Sequence, residues 1–307
     1  MISDNEGCML CPRRCGVDRR SGTGFCGAPQ GLEVSAICLH RGEEPPLSPI
    51  VNVFFAHCNL HCVYCQNHEV SARGVDGRFV HWRTVDEVAD ECCRLLPQAD
   101  GRLGFVTAAH YLPYVVPIVE AVRRRGIDPT VVYNSSGYEE AEALRTLEGW
   151  VDIYLPDFKY MDPALAARWS HAADYPQVAQ RAIAEMRRQV GAGLKVDGDH
   201  AYRGLVVRHL VLPGEVDNSL RCLEWLADEF PFGLHLSLMA QYYPPMPSLP
   251  APLNRTLTAG EYAAVVDRAV ELGLTDGWIQ QLEAERSYRP DFSLPDPFNR
   301  TPNNETL

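Results

Sequence analysis

A loop with three closely spaced cysteines constrains this chain more than any other stretch. Cys58, Cys62 and Cys65 give the spacing C-x3-C-x2-C, directly after the apolar run Val51–Phe55, which favours a strand. Three thiolates are too few for a closed tetrahedral zinc site and one short of the four that normally hold an iron–sulfur cube. If a cube is built on these three, its fourth iron keeps an open position for a substrate or cofactor.

The cysteine loop (residues 58–65) belongs to a wider pattern of sequence blocks. Tyr64 is the aromatic residue before the last cysteine, and Gln66 and Asn67 continue the loop. Further matching blocks are Cys8–Gly16, Glu43–Pro45, Val151–Tyr160, Arg208–Gly214 and Met239–Tyr242. On these residues the chain resembles the radical SAM superfamily, and within it a subgroup similar to pyruvate formate-lyase activating enzymes. A zinc knuckle or a set of unpaired buried cysteines is the competing interpretation, and the agreement of spacing, strand and downstream blocks argues against it.

The resemblance implies a cofactor set and a reaction. A [4Fe-4S] cluster would be held by Cys58, Cys62 and Cys65, and S-adenosyl-L-methionine (SAM) would chelate its open iron. Reductive cleavage of SAM would release a 5′-deoxyadenosyl radical that abstracts a hydrogen atom, and a flavodoxin or ferredoxin would supply the electron. That step needs no protein acid or base, so no catalytic residue is assigned beyond the cluster ligands.

Several substrate classes are compatible with this chemistry. The resemblance implies a glycyl-radical-enzyme activase, whose target is a glycine of a partner enzyme. Radical modification of a peptide or small molecule is the alternative enzymatic interpretation. A non-enzymatic alternative is an iron–sulfur or zinc module for electron transfer or binding. An unligated iron argues against such a module, because a pure electron carrier gains nothing from it.

Length, composition and charge favour a globular protein and argue against a nucleic-acid binder or a membrane protein. The 307 residues suffice for a full-sized core, and contents of 46% hydrophobic and 22% charged residues are ordinary for a globular protein. The net charge of −12 argues against a primary nucleic-acid binder, since the one dense basic run, Arg123–Arg125, ends a predicted helix and is expected to be a solvated cap. We find no signal segment and no apolar run of about 18 residues, and therefore expect a cytoplasmic protein without a membrane partner.

From residue 51 onward, β-branched apolar runs alternate with helix-period stretches, which predicts βα units around a parallel sheet. The predicted strands are Val51–Ala56, Leu103–Thr107, Thr130–Tyr133, Val151–Leu155, Leu205–Leu212 and His235–Met239. Helix starts are predicted by the capping boxes at Thr84 and Thr258 and by the pair Asp162-Pro163, and a further helix is predicted over 176–191. Six strands fit the partial (β/α)6 TIM-type barrel of the superfamily.

We expect three parts in the chain. Residues 1–48 form a small cysteine-rich metal-binding extension, residues 49–284 the radical SAM partial barrel, and residues 285–307 a Pro-rich C-terminal tail that is packed or frayed. The extension contains C-x2-C-x3-C-x10-C, and Gly16 and Gly27 each follow a cysteine, where a positive φ lets the backbone wrap around a metal-bound sulfur. The four cysteines are Cys8, Cys11, Cys15 and Cys26.

Four thiolates can close a structural site, and they suit zinc and a second iron–sulfur cluster equally well. Spare cysteines in a flexible leader are the third interpretation. In a reducing compartment, cysteines are expected to be metal ligands or free thiols rather than disulfides. Core packing is expected for the remaining four, which lie on apolar or helical stretches: Cys38, Cys92, Cys93 and Cys222.

In a barrel of parallel strands, functional side chains lie at the carboxyl ends of the strands. We therefore expect the SAM pocket to be formed by Tyr64, Thr107, Asn134, Asp157, Lys159 and Arg208. Arg208 has the fork geometry to clamp a carboxylate, and its neighbour His209 should point the opposite way. Relatives bind a monovalent cation near this place, but Asn134 stands where they carry an aspartate, which weakens such a site.

Other polar residues near the strand ends allow two interpretations each. His110 either faces the substrate or is a helix N-terminal residue with a satisfied hydrogen bond. His57 stands where relatives usually have glycine, and either hydrogen-bonds a cluster sulfide or is exposed. The Gly-Gly-Glu motif that contacts the SAM amine in relatives is absent here, and Thr107 is the candidate for that contact. Gln241 and Tyr242 are candidates at the mouth of the substrate site.

Overall fold

One sheet with flanking helices makes up the described part of the chain, which in this computed structural model is residues 7–42, 44–71, 75–286, 289–294 and 296–298. The strands are β1 (Glu33–His40), β2 (Ile50–Phe55), β3 (His81–Trp82), β4 (Arg102–Val106), β5 (Thr130–Ser135), β6 (Ile153–Pro156), β7 (Leu194–Asp197), β8 (His200–Leu210), β9 (His235–Met239) and β10 (Gly277–Ile279). The α-helices are α1 (His68–Ser71), α2 (Val85–Leu95), α3 (Val115–Arg124), α4 (Ala141–Arg145), α5 (Pro163–Ser170), α6 (Tyr175–Val190), α7 (Val216–Glu229) and α8 (Ala259–Glu271).

The strand order confirms the predicted partial barrel. Along the sheet the order is β10-β9-β8-β6-β5-β4-β2-β1-β3, and every pair from β2 to β10 is parallel. All six predicted strands are present, as β2, β4, β5, β6, β8 and β9. Strands β1 and β3 add antiparallel at one end of this path, and β10 ends the other, so the described sheet is open.

The helices begin where their start signals predict. Thr84 and Thr258 are the N-caps of α2 and α8, and each forms a reciprocal capping box with the glutamate three residues later. Asp162 caps α5 ahead of Pro163, and α6 matches the helix predicted over 176–191. The basic run ends α3 as predicted, with Arg123 and Arg124 in its last turn, and Arg125 also pairs with Asp86 and Asp90 of α2.

The structure adds strands that the sequence did not reveal. β1 lies in the segment expected to be loop-rich and pairs with β2 along its length, for example Ile37 with Val53. β8 begins earlier than predicted because His200–Arg203 form a hairpin with β7. β1 has eight residues and lies between β2 and β3, so it is an inner strand of the sheet. Among the described helices, none is both long and apolar enough to span a bilayer.

Glu43 and positions 287–288, 295 and 299–307 of the predicted tail lie outside the described residues. The described part of the tail is packed: the rings of Phe292 and Phe298 lie 5.5 and 5.7 Å from that of Phe54 on β2. This places tail residues beside the carboxyl ends of the central strands. The division of the chain at residues 48 and 284 stays a prediction.

Candidate functional site

The three cysteines of the cysteine loop face one cavity at the carboxyl end of β2. Cys58 is buried, and Cys62 and Cys65 are half-buried. The chain enters the loop through His57 at φ +72°, in the left-handed region that glycine adopts freely and histidine tolerates better than most residues. The histidine therefore preserves the turn that a glycine would make.

Two serines donate hydrogen bonds to the loop sulfurs. Ser170 Oγ lies 3.0 Å from Cys62 Sγ, and Ser71 Oγ lies 3.2 Å from Cys65 Sγ. Ser170 also contacts the Tyr160 hydroxyl at 2.8 Å, which in turn lies 2.6 Å from the Tyr64 hydroxyl. No sequence pattern connects these residues with the loop, since Ser170 follows Cys62 by 108 positions. Hydrogen bonds of this kind orient metal ligands and tune the bound metal.

Burial sets the protonation state of the loop thiols. It raises the pKa of Cys58 to about 12 and that of Cys62 to about 11, and it also raises the pKa of Cys65. At Cys62 the Lys159 ammonium opposes this effect. The thiols are therefore protonated at neutral pH, and a metal that binds them must displace their protons.

The predicted cofactor residues meet the three thiols in the same cavity. Besides the cysteines, it is lined by Tyr64, Thr107, Asn134, Asp157, Lys159 and Arg208. The strand register explains this: Val106 lies beside Asn134, and Asn134 beside Leu155, so successive strands end at one level. The cavity volume is about 200 Å³, and the cleft spans about 1310 Å³ with its solvent-open mouth.

The backbone of Thr107, which directly follows β4, adopts an unusual conformation. Its φ is +52°, and its N–H donates to Asn134 O at 2.8 Å. For a β-branched residue the left-handed region costs about 1–2 kcal/mol. Strain of this size is typical of functional sites, and here it turns the chain at the cavity wall.

Asp157 and Lys159 form an ion pair inside the cavity, with Nζ 2.6 Å from Oδ2. Burial disfavours the charged form of Lys159, but the Asp157 carboxylate opposes that effect, and the pKa of the lysine is raised. Lys159 therefore carries a positive charge at neutral pH. That charge lies beside Asp157, the carboxylate for which the sequence resemblance suggested a monovalent cation.

Arg208 faces the cavity, but a carboxylate of this chain already accompanies it. Its Nε lies 3.0 Å from Glu44 Oε1, and Ser237 Oγ donates to the same oxygen at 2.7 Å. Glu44 is in one of the matching blocks, yet the sequence assigned it no role. His209 points the opposite way, as expected, and its ring contacts Phe158 O and Ser219 Oγ.

The two histidines with open interpretations are resolved by their contacts. His110 is buried outside the cavity lining, with Nε2 2.8 Å from Ala56 O, so it does not face a substrate site there. Burial lowers its pKa to about 3. His57 is neither exposed nor free to reach a cluster through Nε2, because that nitrogen lies 2.6 Å from Glu33 Oε2. His110 therefore binds the backbone just before the cysteine loop, and His57 ties the start of the loop to the Glu33 side chain on β1.

Of the two residues expected at the mouth of the substrate site, one lines the cavity and the other does not. Gln241 lines the cavity, and Gln66 Nε2 donates to Gln241 O at 2.8 Å. Tyr242 is buried, and its hydroxyl donates to Leu253 O. Only the glutamine therefore lies where the prediction placed it.

The N-terminal cysteine block (residues 8–26) forms tight turns around its thiols. Gly16 and Gly27 have φ of +63° and +84°, as predicted, and Gly16 N donates to Cys8 O. Burial raises the pKa of Cys11 to about 11, and the neighbouring Cys26 and Cys8 add to it. All eleven cysteines are free thiols. Within the described parts of the chain, no three His, Cys, Asp or Glu side chains are already arranged to hold a single metal ion.

Comparison with known proteins identifies distant relatives. No family model matches the chain. An uncharacterized protein of Methanocaldococcus jannaschii is 27% identical over 274 residues, which cover 87% of this chain and 74% of that protein.

Among solved structures, native anSMEcpe with bound AdoMet matches with a TM-score of 0.49 and 12% identity, over 77% of this chain and 62% of that chain. A histidine-tagged form with bound AdoMet gives a TM-score of 0.47 and 14% identity, over 70% and 54%. The present chain therefore spans between about half and two thirds of these structures. At TM-scores below 0.5 the likeness carries no conclusion about what this chain binds.

Proposed function

We propose that this chain is a radical SAM enzyme with a [4Fe-4S] cluster on Cys58, Cys62 and Cys65. One observation carries the proposal: three thiols and the predicted cofactor residues from neighbouring strand ends line a single cavity. The three cysteines come from one loop, whereas Asn134 and Asp157 come from separate strands. The parallel strand register brings their side chains to the same cleft as the three thiols.

The donor set fits such a cluster. Three soft thiolate ligands suit an iron–sulfur cube and leave one iron open. The serine hydroxyls on Cys62 and Cys65 are the kind of contact that stabilises thiolate charge. When bound, the cluster and SAM supply one-electron cleavage of the sulfonium, which yields a 5′-deoxyadenosyl radical for hydrogen abstraction.

The protein residues bind and orient the cofactor. The Lys159 ammonium is the cation placed to hold the SAM carboxylate, with Asp157 keeping it charged and in position. Arg208 already pairs with Glu44, so we assign this pair to holding polar groups of the nucleoside rather than the carboxylate. Thr107 and Asn134 would bind the SAM amine through their oxygen atoms. Apolar residues of the lining exclude water: Phe54, Leu60, Val132, Leu155 and Met239.

The reaction class we propose is activation of a glycyl radical enzyme, on the basis of the subgroup resemblance. A flavodoxin or ferredoxin of the same, cytoplasmic compartment would supply the electron. Modification of a small molecule is the second candidate, and the cavity supports it, because Pro290 and Phe298 of the tail line the cleft and narrow it. In either case we propose that the N-terminal cysteine block holds zinc or a second iron–sulfur cluster.

Anaerobic reconstitution with iron and sulfide, followed by SAM and dithionite, tests the core of the proposal. We expect 5′-deoxyadenosine and methionine in equal amounts. A protein that binds iron but yields neither product would be an electron-transfer or binding module instead. Mixing the active protein with candidate partner enzymes and recording a glycyl EPR signal, or the mass of a modified small molecule, then separates the two substrate classes.

A further inference from the structure

Arg13 belongs to the N-terminal cysteine block, but its guanidinium lies against the cysteine loop. Nε donates to Asn59 O at 2.8 Å, and Nη2 reaches Leu60 O at 3.5 Å. The same group reaches the end of α5, where Nη2 donates to Ser170 O at 3.2 Å and Nη1 to His171 O. One side chain therefore joins two segments that lie far apart in the sequence.

Aromatic rings hold the guanidinium in this place. Its central carbon lies 3.7 Å from the ring centroid of Phe25 and 5.0 Å from that of Tyr138. Both aromatic residues also bind the loop through their carbonyl groups: His61 Nε2 lies 2.9 Å from Phe25 O, and Asn59 Nδ2 donates to Tyr138 O at 2.8 Å. Stacking on two rings leaves a guanidinium few alternative positions.

These contacts bear directly on the loop sulfurs. Asn59 and Leu60 are fully buried and stand between Cys58 and Cys62, so their carbonyl positions set the path between the two thiols. Buried carbonyl groups need hydrogen-bond partners, and Arg13 provides them. Ser170, whose hydroxyl donates to Cys62 Sγ, has its carbonyl bound by the same guanidinium. Arg13 thus binds both the segment between two thiols and the residue that donates a hydrogen bond to one of them.

We propose that Arg13 is a positioning residue that keeps the cysteine loop and Ser170 in the arrangement needed to present three thiols to the cavity. The N-terminal cysteine block presents Arg13, which lies between Cys11 and Cys15. For its effect on the cofactor, this inference rests on the proposed function. Arg14 is a matched control: it is the next residue, equally charged, and pairs at 2.8 Å with Glu140 on the surface.

The first experiment uses the full chain without metal, and so does not depend on a cluster. Hydrogen–deuterium exchange of residues 58–65 and 169–171 is compared between wild type, Arg13→Ala and Arg14→Ala. We expect these amides to exchange at least about tenfold faster in Arg13→Ala, since loss of the hydrogen bonds favours local opening. In Arg14→Ala their exchange rates should equal those of wild type. Equal protection in all three proteins would overturn the proposal. If Arg13→Ala does not fold, Arg13→Lys is compared instead, because one ammonium replaces only part of the guanidinium fork.

The second experiment uses the reconstituted holoenzyme. SAM is expected to change the EPR spectrum of the reduced cluster in wild type, and we expect Arg13→Ala to lose this change. Millimolar methylguanidinium should restore it. A variant that is only destabilised would not be rescued in this way. Loss that methylguanidinium does not restore would contradict a positioning role. If wild type itself shows no SAM-dependent change while its loop is still protected through Arg13, the proposed function fails and the positioning of the loop stands.

Discussion

The two groups of cysteines in this protein differ in what surrounds their sulfur atoms. Cys58, Cys62 and Cys65 follow a central parallel strand and line a cavity with polar residues on its opposite walls. The N-terminal cysteine block is built from turns, contributes no residue to that cavity, and includes an exposed thiol, Cys15. The first group thus faces space for another molecule, whereas the second group lies outside that cavity.

The comparison relates the number of thiol ligands, and what surrounds them, to the kind of metal site they can form. Three thiolates beside a cavity would leave a coordination position for a reactant, whereas the four thiolates predicted to close a site in the N-terminal cysteine block would leave none. The first arrangement suits chemistry and the second suits structure. Each of the following changes should therefore act differently on the two groups.

The largest effect is expected for Cys62→Ser. With two thiolates left, the loop cannot retain a cube, and formation of 5′-deoxyadenosine should fall at least about a thousandfold. Iron content and product formation after anaerobic reconstitution measure this. Cys93→Ser, on α2 and away from both groups, is the control and should behave as wild type. Full activity of the Cys62 variant would remove the distinction between the groups.

A smaller effect on activity is expected for Cys26→Ser in the N-terminal cysteine block. We expect less than about a tenfold loss of product, but a melting temperature lower by about 5 °C or more, because a structural metal site contributes folding free energy. Elemental analysis identifies the metal: zinc falls if the block binds zinc, and iron falls if it binds a second cluster. A variant that keeps its full metal content and melting temperature would show that this thiol is no ligand.

Lys159→Met tests the binding role of the cavity wall. Loss of a charge-assisted hydrogen bond of about 1.5–3 kcal/mol should raise KM for SAM by roughly 10- to 100-fold. The iron content should stay unchanged, since no thiol is altered. Lys195→Met, on the exposed strand β7, serves as the control. An unchanged KM would mean that the SAM carboxylate binds elsewhere.

The smallest effect concerns two adjacent glutamates, of which Glu139 is buried and Glu140 pairs with Arg14 of the N-terminal cysteine block. Burial raises the pKa of Glu139 to about 7, from an ordinary value of 4.5. The native state therefore holds this proton more tightly than the unfolded chain, and the free energy of unfolding falls as pH rises from 4.5 to 7, by at most about 3 kcal/mol. Glu139→Gln should remove this fall, which urea titrations of the metal-free protein at pH 5 and pH 8 would measure.

Glu140→Gln is the matched control, because Glu140 pairs with Arg14 of the N-terminal cysteine block on the surface. An exposed pair contributes about 0–1 kcal/mol, so this variant should keep the pH dependence of wild type. The buried His110 acts in the opposite direction, with stability lost as pH falls below 6.5, but it is present in all three proteins and cancels in the comparison. Identical slopes for wild type and Glu139→Gln would contradict the prediction.

The sequence was sufficient for the features that depend on local order along the chain. The six central strands, the capping boxes at Thr84 and Thr258, and the positive φ at Gly16 and Gly27 follow from patterns within a few residues. The cavity lining was also predictable, because parallel strands place their carboxyl ends at one edge. Thr107 and Asp157 needed only a strand prediction to be found.

Contacts between distant segments were beyond the reach of the sequence. Arg208 was expected to clamp a ligand carboxylate, yet Glu44 lies 3.0 Å away. Ser170 reaches Cys62 only because α5 packs behind the loop. His57, for which a cluster contact was one interpretation, instead pairs with Glu33 on β1. Such pairs depend on tertiary packing, and no local propensity encodes them.

The proposed positioning role of Arg13 has a consequence for the order of events during synthesis. Its two carbonyl partners at the end of α5 lie 157 and 158 residues further along the chain. At typical translation rates of about 5–20 residues per second, they leave the ribosome roughly 8 to 30 s after Arg13. Iron–sulfur delivery to a nascent chain before that moment would meet a loop without its support, so we expect loading to follow translation of the first half of the barrel.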